Sequence, residues 1–181
     1  MSTTASHTSQ KDFSTQFADP ALFRQSWRGL GSTVTLVSTQ NRGKRFTMLA
    51  TAVNSVSMDP PSLLVCVNKS ATAHVEIAER KAFSVGLLRS DNRELSSKIG
   101  AAKSEERFGF GTWSDYEGKI SDIRGIPWLA EAQSTLFCTT DQSFDYGTHT
   151  IFIGLVRMIE GAMPYDPLLY CDGKYGKIGW M

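Results

Sequence analysis

The amino-acid sequence predicts a mainly β fold, an antiparallel β-barrel with a few short flanking helices. Runs rich in β-branched and aromatic residues, about seven in number, outnumber the helical patterns, of which there are about three. Short turns separate several of these runs, which is typical of hairpins. No regular alternation of strand and long helix appears, as a doubly wound parallel sheet would require.

The first predicted elements are a short helix and a β-hairpin. A helix is expected from Pro20 onward because apolar residues recur there at helical spacing. These are Leu22, Phe23, Trp27 and Leu30. The β-branched run Thr33–Ser38 predicts a strand. The segment Asn41–Lys44 predicts a turn, with glycine in the position that tolerates positive φ, and it leads into a second strand over about residues 45–52.

The middle of the chain continues with strands and a short helix. Pro60 and Pro61 cannot lie inside a paired strand, so they predict a bend between a segment that ends near residue 57 and the strand Leu63–Asn68. Thr72–Arg80 is predicted to be helical, and Phe83–Leu88 is predicted to be a strand.

The second half is predicted to hold one helix, a long irregular region and three further strands. Asp91 is expected to cap a helix that ends at Gly100. Residues 101–128 carry Gly, Trp and Phe with little periodicity, so long loops are expected there, and such loops are often functional. Strands are predicted to return at Ser134–Thr140, His149–Met158 and Leu168–Cys171.

Length and composition predict one globular domain. The 181 residues are 41% hydrophobic and 20% charged, which suffices to bury a core without disulfides or metals. The Ser- and Thr-rich residues 1–19 are expected to form a mobile tail, which leaves residues 20–181 as the domain. No apolar run is long enough to span a bilayer, and a net charge of +1 gives no general attraction to nucleic acid or to a membrane surface.

Cysteine usage predicts a reducing compartment. The three cysteines, Cys66, Cys138 and Cys171, are widely spaced and form no CxxC pair, so neither a disulfide framework nor a zinc ribbon is indicated. Cys66 and Cys138 lie in apolar runs, where buried, inert thiols are expected. We therefore expect a cytoplasmic protein.

Common catalytic motifs are missing from the sequence. GxGxxG, GxxxxGK[ST], GxSxG and HExxH do not occur. The three histidines, His7, His74 and His149, are scattered, so a three-histidine metal site is not expected. The carboxylates are not paired in any apolar segment, which argues against a glycosidase.

Two segments have unusual composition. In Ala50–Ser57, small and hydroxylated residues replace the bulky ones that a central strand prefers, so a flat ligand could lie against the backbone. A tightly packed barrel interior explains the same pattern. In Val67–Thr72, Asn, Lys, Ser and Thr lie between a predicted strand and a predicted helix, where one phosphate could bind. An ordinary helix cap with a solvated lysine explains that segment equally well.

Three further residues are candidates for a site. His149 begins a strong predicted strand, and a histidine there is either a structural residue or a donor that positions a nicotinamide. Arg107 and Phe108 lie in the long irregular region, within a charged cluster whose default location is the solvated surface. Arg107 could instead reach a phosphate, and Phe108 could cover a ring.

Taken in order, these segments resemble the short flavin reductases, a family of FMN-binding split barrels. The residues that carry the resemblance are ATAVNSVSMDPPSLLVCVNKSA (Ala50–Ala71), SEERF (Ser104–Phe108), YGTHTIFIGLV (Tyr146–Val156) and PLLYCDGKYG (Pro167–Gly176). The reductase components of two-component 4-hydroxyphenylacetate 3-monooxygenases are the most similar branch. Many relatives have Asp where this chain has Thr148.

The resemblance implies an antiparallel split β-barrel and a flavin site. Ala50, Thr51, Ala52 and Val53 would line the isoalloxazine, with Ser55 near the ribityl chain. Asn68, Lys69 and Ser70 would hold the phosphate, with Arg107 as a helper. Val67 and Phe108 would be further residues of the cofactor site. His149 would border the nicotinamide.

The function implied is an NAD(P)H-dependent flavin reductase. It would take NADH or NADPH as electron donor, reduce FMN or FAD, form a homodimer and supply reduced flavin to a flavin-dependent oxygenase. Hydride passes directly from nicotinamide to flavin, so the chemistry needs orientation rather than a metal or a strong base. The alternative is a non-catalytic flavin-binding redox sensor or storage module on the same barrel.

Overall fold

The computed structural model describes residues 17–161 and 164–180. Most of the predicted tail, residues 1–16, lies outside the described residues. The helices described are α1 (Pro20–Trp27), α2 (Thr72–Arg80) and α3 (Arg93–Ala101), with 3-10 turns at Ser90–Asn92, Ser104–Gly109 and Ser121–Ile123. The strands described are β1 (Ser32–Thr33), β2 (Thr35–Asn41), β3 (Lys44–Ala50), β4 (Val53–Met58), β5 (Pro61–Asn68), β6 (Ala82–Leu87), β7 (Trp113–Asp115), β8 (Pro127–Leu129), β9 (Ser134–Tyr146), β10 (His149–Gly161), β11 (Leu169–Cys171) and β12 (Lys174–Gly176).

One seven-stranded antiparallel sheet dominates the molecule, in the order β3-β2-β6-β9-β10-β5-β4. The two edge strands, β3 and β4, are consecutive in the chain, and only Thr51 and Ala52 lie between them. The sheet therefore curls until its edges are joined by a two-residue link instead of a ladder of hydrogen bonds. This arrangement is a split barrel, and it confirms the predicted mainly β, antiparallel fold.

The barrel interior is filled by apolar side chains from the central strands. Val37 on β2, Phe83 on β6 and Phe152 on β10 are fully buried in one cluster. The helix α2 closes this cluster by burying Ala73 and Ile77 against it. Burial of large aromatic and branched residues from several strands is the main stabilising contribution to such a core.

The hairpin of β9 and β10 is longer than the sequence predicts. The predicted β9 ended at Thr140, but pairing continues to the partners Tyr146 and His149. Residues 141–146 are all exposed, so burial does not explain their strand conformation. They are held by hydrogen bonds to β10, which no hydrophobic pattern reveals.

The bend at the two prolines is confirmed in part. Asp59 and Pro60 form the turn, but Pro61 is the first residue of β5 and pairs with Met58. Proline is tolerated at the first residue of a strand because its missing N–H removes no interior ladder bond.

The predicted cap of α3 was wrong. Asp91 lies inside the 3-10 turn before the helix and is ion-paired with Arg89, at 3.4 Å between Nε and Oδ1. The residue at the helix N-cap is Asn92, whose Oδ1 accepts a hydrogen bond of 2.9 Å from the Arg89 backbone N–H. The buried amide thus closes the preceding turn.

The region 101–128 is more ordered than expected. It contains the small β7–β8 hairpin and two 3-10 turns. Strands of three residues are too short to produce a recognisable alternation, which is why the sequence pattern missed them. The same reason accounts for most of the difference between about seven predicted strands and the twelve described.

The helix α1 is confirmed, but its apolar side chains are not buried. Leu22, Phe23 and Trp27 are each about 60% exposed. Asp19 caps the helix by accepting a bond of 2.6 Å from the Ala21 backbone N–H. Across residues 17–161 and 164–180, no helix has the length and apolarity needed to cross a bilayer, and no group of three metal-type side chains occurs.

The three thiols differ in environment. Cys138 is fully buried, as predicted, and burial raises the pKa of its thiol to about 12. Cys66 is only half-buried and borders a groove, while Cys171 is exposed. The prediction of two inert, buried thiols is thus confirmed for Cys138 and wrong for the burial of Cys66.

Candidate functional site

A groove opens where the two edge strands of the barrel meet. Its volume is about 800 Å³, and its lining includes the link between β3 and β4 and the first part of β4. Thr51, Ala52 and Ser55 are exposed to it, and Val53 is half-buried. Small side chains make up this part of the lining, and β4 is an edge strand, so one side of its backbone has no neighbouring strand.

Two of the predicted site residues are buried instead. Ala50 is 9% exposed, and its backbone oxygen accepts a bond of 2.7 Å from the Thr35 hydroxyl. Val67 is fully buried in the core cluster against α2. Neither side chain faces a groove, so either residue could reach a ligand only through its main chain.

The turn after β5 is built around the Asn68 side chain. Asn68 Oδ1 accepts two bonds from Ser70, 2.9 Å from its backbone N–H and 2.8 Å from its hydroxyl. The Lys69 N–H donates to Thr148 O, and the Ala71 N–H donates to Asn68 O, each at 2.9 Å. Because the backbone N–H groups of residues 69–71 are used within the fold, an anion at this turn would be bound by side chains.

The β9–β10 hairpin lies directly beside this turn. His149 pairs with Asn68 across β10 and β5. The His149 ring is exposed, and its Nδ1 is 2.9 Å from the Thr148 hydroxyl. The Thr148 hydroxyl thus orients the imidazole.

A chain of polar side chains links the hairpin to the turn. Asp145 Oδ2 is 3.2 Å from Lys69 Nζ, and Asp145 Oδ1 accepts a bond of 2.7 Å from the Thr150 hydroxyl. The hydrogen bond from Thr150, together with that from Lys69, holds the pKa of Asp145 below its usual value. No local pattern marks Asp145 as a site residue, because its contact with Lys69 depends on the strand register.

His74 completes this chain. Its Nε2 is 2.7 Å from the Thr150 hydroxyl oxygen. The single Thr150 proton is donated to Asp145, so His74 Nε2 must be the donor in the other bond. The imidazole also packs edge-on against Phe152, at 5.8 Å between ring centroids. His74 therefore has a structural role, as the hydrogen-bond donor to the Thr150 hydroxyl.

The SEERF segment lies close to the start of α2. Ser104 Oγ is 2.9 Å from Thr72 Oγ1. Arg107 donates from one terminal nitrogen to Thr47 O at 2.7 Å and from Nε to Ala102 O at 3.3 Å. Its guanidinium therefore anchors the segment to β3, with three N–H groups beyond those two bonds.

Phe108 packs on neighbouring side chains of the same face. Its ring centroid is 4.5 Å from that of Trp113, and the Arg45 guanidinium lies 5.9 Å from the ring centroid. The ring is half-buried. Phe108 is not part of the lining of the groove at Thr51.

A second cavity of about 640 Å³ adjoins the groove. Thr51 and Ser32 border both spaces, and His149 borders the second. Trp27 and Leu30 also line both. Their helical spacing predicts both residues on one apolar face but indicates no site. In the structure Trp27 is the last residue of α1, and Leu30 lies beyond its end.

The chain matches a known protein family over most of its length. The family model is described as "Flavin reductase like domain", and it covers residues 27–179. The match includes each segment whose geometry is given above, from Thr51 to His149.

Curated relatives are similar across the same extent. A Rhizobium protein, the reductase component of an FADH(2)-dependent resorcinol hydroxylase, is 36% identical over 156 residues, which cover 84% of each chain. A Pseudomonas syringae protein, FMN reductase (NADH) RutF, is 35% identical over 154 residues, covering 84% of this chain and 83% of its own.

Solved structures share the fold. The NADH:FAD oxidoreductase SgcE6 of Streptomyces globisporus, in complex with NAD and FAD fragments, superposes with a TM-score of 0.80. It is 25% identical, and the similarity covers 90% of this chain and 96% of that one.

Proposed function

Because this chain belongs to the flavin reductase-like family, we propose that it is an NADH-dependent flavin reductase that supplies reduced flavin to a partner oxygenase. The observation that carries the proposal is the junction at Thr51, where the groove of small residues meets the cavity that His149 borders. Two planar rings must lie face to face for hydride transfer, and two adjoining spaces with one shared wall allow this.

The groove fits a flavin ring in size and lining. At about 800 Å³ it falls within the usual range of cofactor pockets. The isoalloxazine would contact Thr51, Ala52 and Val53, chiefly through main-chain groups. Ser55 would lie toward the ribityl chain. A bound flavin supplies the hydride acceptor, and the protein's contribution is orientation.

The flavin phosphate would bind at the turn after β5. The groups available there are the Lys69 ammonium, the Asn68 amide and the Ser70 hydroxyl, since the backbone N–H groups of residues 69–71 have partners. Arg107 anchors its own segment and would act on the phosphate only through its remaining N–H groups. A flavin phosphate held by one flexible lysine side chain would bind with modest affinity.

The nicotinamide would enter the second cavity, beside His149. The Thr148 hydroxyl holds the imidazole at Nδ1, so Nε2 is the nitrogen left to face a ligand. A neutral imidazole there would position a carboxamide by a hydrogen bond. No general base is required, because the reaction moves a hydride between two rings.

The working form proposed is a cytoplasmic homodimer with residues 20–181 as its single domain. Large apolar side chains surround the groove and are exposed in one chain, among them Met58 at 80%, Trp27 at 60% and Ile159 at 57%. A second copy would cover this rim and seal the flavin site from water. The three unpaired cysteines support a reducing compartment.

The test is an assay of NADH absorbance in the presence of FMN, FAD or riboflavin. Rapid, flavin-dependent oxidation of NADH is the expected result, and replacing NADH with NADPH ranks the two donors. A protein that quenches flavin fluorescence on binding but oxidises neither nicotinamide would be a flavin-binding module, and the reductase proposal would be wrong.

A further inference from the structure

The only cation in the turn after β5 is already partnered by a carboxylate. Lys69 Nζ and Asp145 Oδ2 are 3.2 Å apart, and both side chains are exposed. The two residues come from different elements, the turn after β5 and the end of β9. The pairing of β9 and β5 with β10 brings those elements together.

Asp145 is fixed in place from the opposite side. Its other oxygen accepts the Thr150 proton at 2.7 Å, and the buried Thr150 hydroxyl is in turn held by His74 Nε2 at 2.7 Å. Because the Thr150 hydroxyl is itself held by His74, its hydrogen bond restrains the Asp145 carboxylate when another anion arrives. Asp145 therefore stays next to the ammonium.

An anion bound to Lys69 would lie within a few ångströms of this carboxylate. The flavin phosphate carries about −1.5 to −2 charges at neutral pH, so the two anions repel each other. They also share one ammonium, and the backbone N–H groups of residues 69–71 beside it have partners in the fold.

We infer that Asp145 competes with the flavin phosphate for Lys69 and so lowers the affinity of the protein for phosphorylated flavin. The inference rests on the proposed phosphate position at Lys69. Its consequence is that the chain holds FMN weakly enough to release it, as a protein must that passes reduced flavin to a separate oxygenase.

The experiment compares the Kd values of FMN and riboflavin for the wild-type protein and for Asp145→Asn. Asparagine keeps the shape of the side chain, and its Oδ1 can still accept the hydrogen bond from the Thr150 hydroxyl. It removes only the negative charge. The variant is expected to bind FMN about three- to tenfold more tightly relative to riboflavin at low salt. The gain should shrink as salt is added, because the charges are exposed to solvent.

Asp141→Asn is the matched control. Asp141 is an exposed carboxylate on the same strand, four residues earlier, and roughly 13 Å away along the strand. Asp141→Asn should leave the ratio of the Kd values for FMN and riboflavin unchanged. Riboflavin reports any effect that does not involve the phosphate, so a general disturbance of the groove would change both ligands together.

An unchanged ratio in Asp145→Asn would overturn the inference. Weaker binding of FMN relative to riboflavin in this variant would overturn it too, since it would mean that Asp145 holds Lys69 in the position that the phosphate needs. The binding measurement does not depend on turnover. A wild-type protein that binds FMN without oxidising NADH would refute the proposed reductase, while the ratio would still test Asp145.

Discussion

At the scale of single residues, the candidate site depends on a few polar side chains held by their neighbours. Lys69 is ion-paired with Asp145, and the His149 ring is hydrogen-bonded to the Thr148 hydroxyl. Both pairs lie at the β9–β10 hairpin and the adjacent turn after β5. Changing either Lys69 or His149 should therefore alter ligand binding with little effect on the barrel.

Lys69→Ala should weaken FMN far more than riboflavin. A lost hydrogen bond to a charged group corresponds to about 1.5–3 kcal/mol, or roughly 10- to 100-fold in Kd. Quenching of flavin fluorescence measures both ligands, and Lys119→Ala, an exposed lysine in the loop between β7 and β8, is the control. Equal losses for the two flavins would place the phosphate elsewhere.

His149→Ala should raise the KM for NADH by about fivefold, or slow hydride transfer, while FMN still binds. The expected size is that of one ordinary hydrogen bond, about 1 kcal/mol. Steady-state kinetics with saturating FMN provide the measurement. Thr148→Val, which removes only the hydroxyl that orients the ring, should show a smaller effect in the same direction. Unchanged kinetics in His149→Ala would exclude it from the nicotinamide site.

At the scale of elements, the barrel depends on close contact between β10 and its neighbours. Gly154 lies in the middle of β10, beside two irregularities in the pairing with β9. A Cβ there would lie 2.7 Å from Phe83 Cζ and 3.0 Å from Cys138 Cβ. Glycine is required because a core aromatic ring occupies the space of a side chain.

Gly154→Ala should destabilise the protein by about 1–3 kcal/mol through overpacking. Urea unfolding followed by circular dichroism measures the change in the free energy of unfolding. Gly176→Ala on β12 is the control, because a Cβ at that position meets no atom within 4 Å. If Gly154→Ala is as stable as Gly176→Ala, the Phe83 ring can move away from β10 without loss of stability, and overpacking does not explain the glycine.

At the scale of the whole molecule, the groove is open and its rim is apolar. The exposed side chains come from α1, the end of β4 and the end of β10. These elements are far apart in the sequence and share one face only because the edges of the barrel meet there. A rim of this kind is what a second copy of the chain would cover.

Met58→Glu should shift the protein from dimer to monomer and weaken flavin binding together. A buried, unpaired carboxylate at a subunit contact is costly. Analytical ultracentrifugation gives the oligomeric state, and fluorescence titration gives the flavin affinity. Val75→Glu is the control, because it places the same charge at an exposed position of α2 that borders neither cavity. It should change neither the oligomeric state nor the flavin affinity. A wild-type protein that sediments as a monomer would refute the proposed dimer.

Much of the fold follows from local pattern in the sequence. Local pattern predicts a strand at Thr33–Ser38, which the structure has at Thr35–Asn41, and it predicts the turn after this strand and the helix Thr72–Arg80. It also marks the small residues around Thr51, because strand alternation, turn chemistry and helical spacing act over a few residues. The resemblance to flavin reductases rests on motifs of the same short range, and the family match confirms it.

Only the tertiary structure decided which of these residues meet. The register of β10 against β5 and β9 places His149 beside Asn68 and Asp145 beside Lys69, and register is a long-range property. The same holds for the exposed face of α1, whose helical spacing predicts an apolar side but not its partner. Sequence alone determined the elements and the chemistry available, while the closing of the barrel determined the site, because contacts between distant strands depend on the whole sheet.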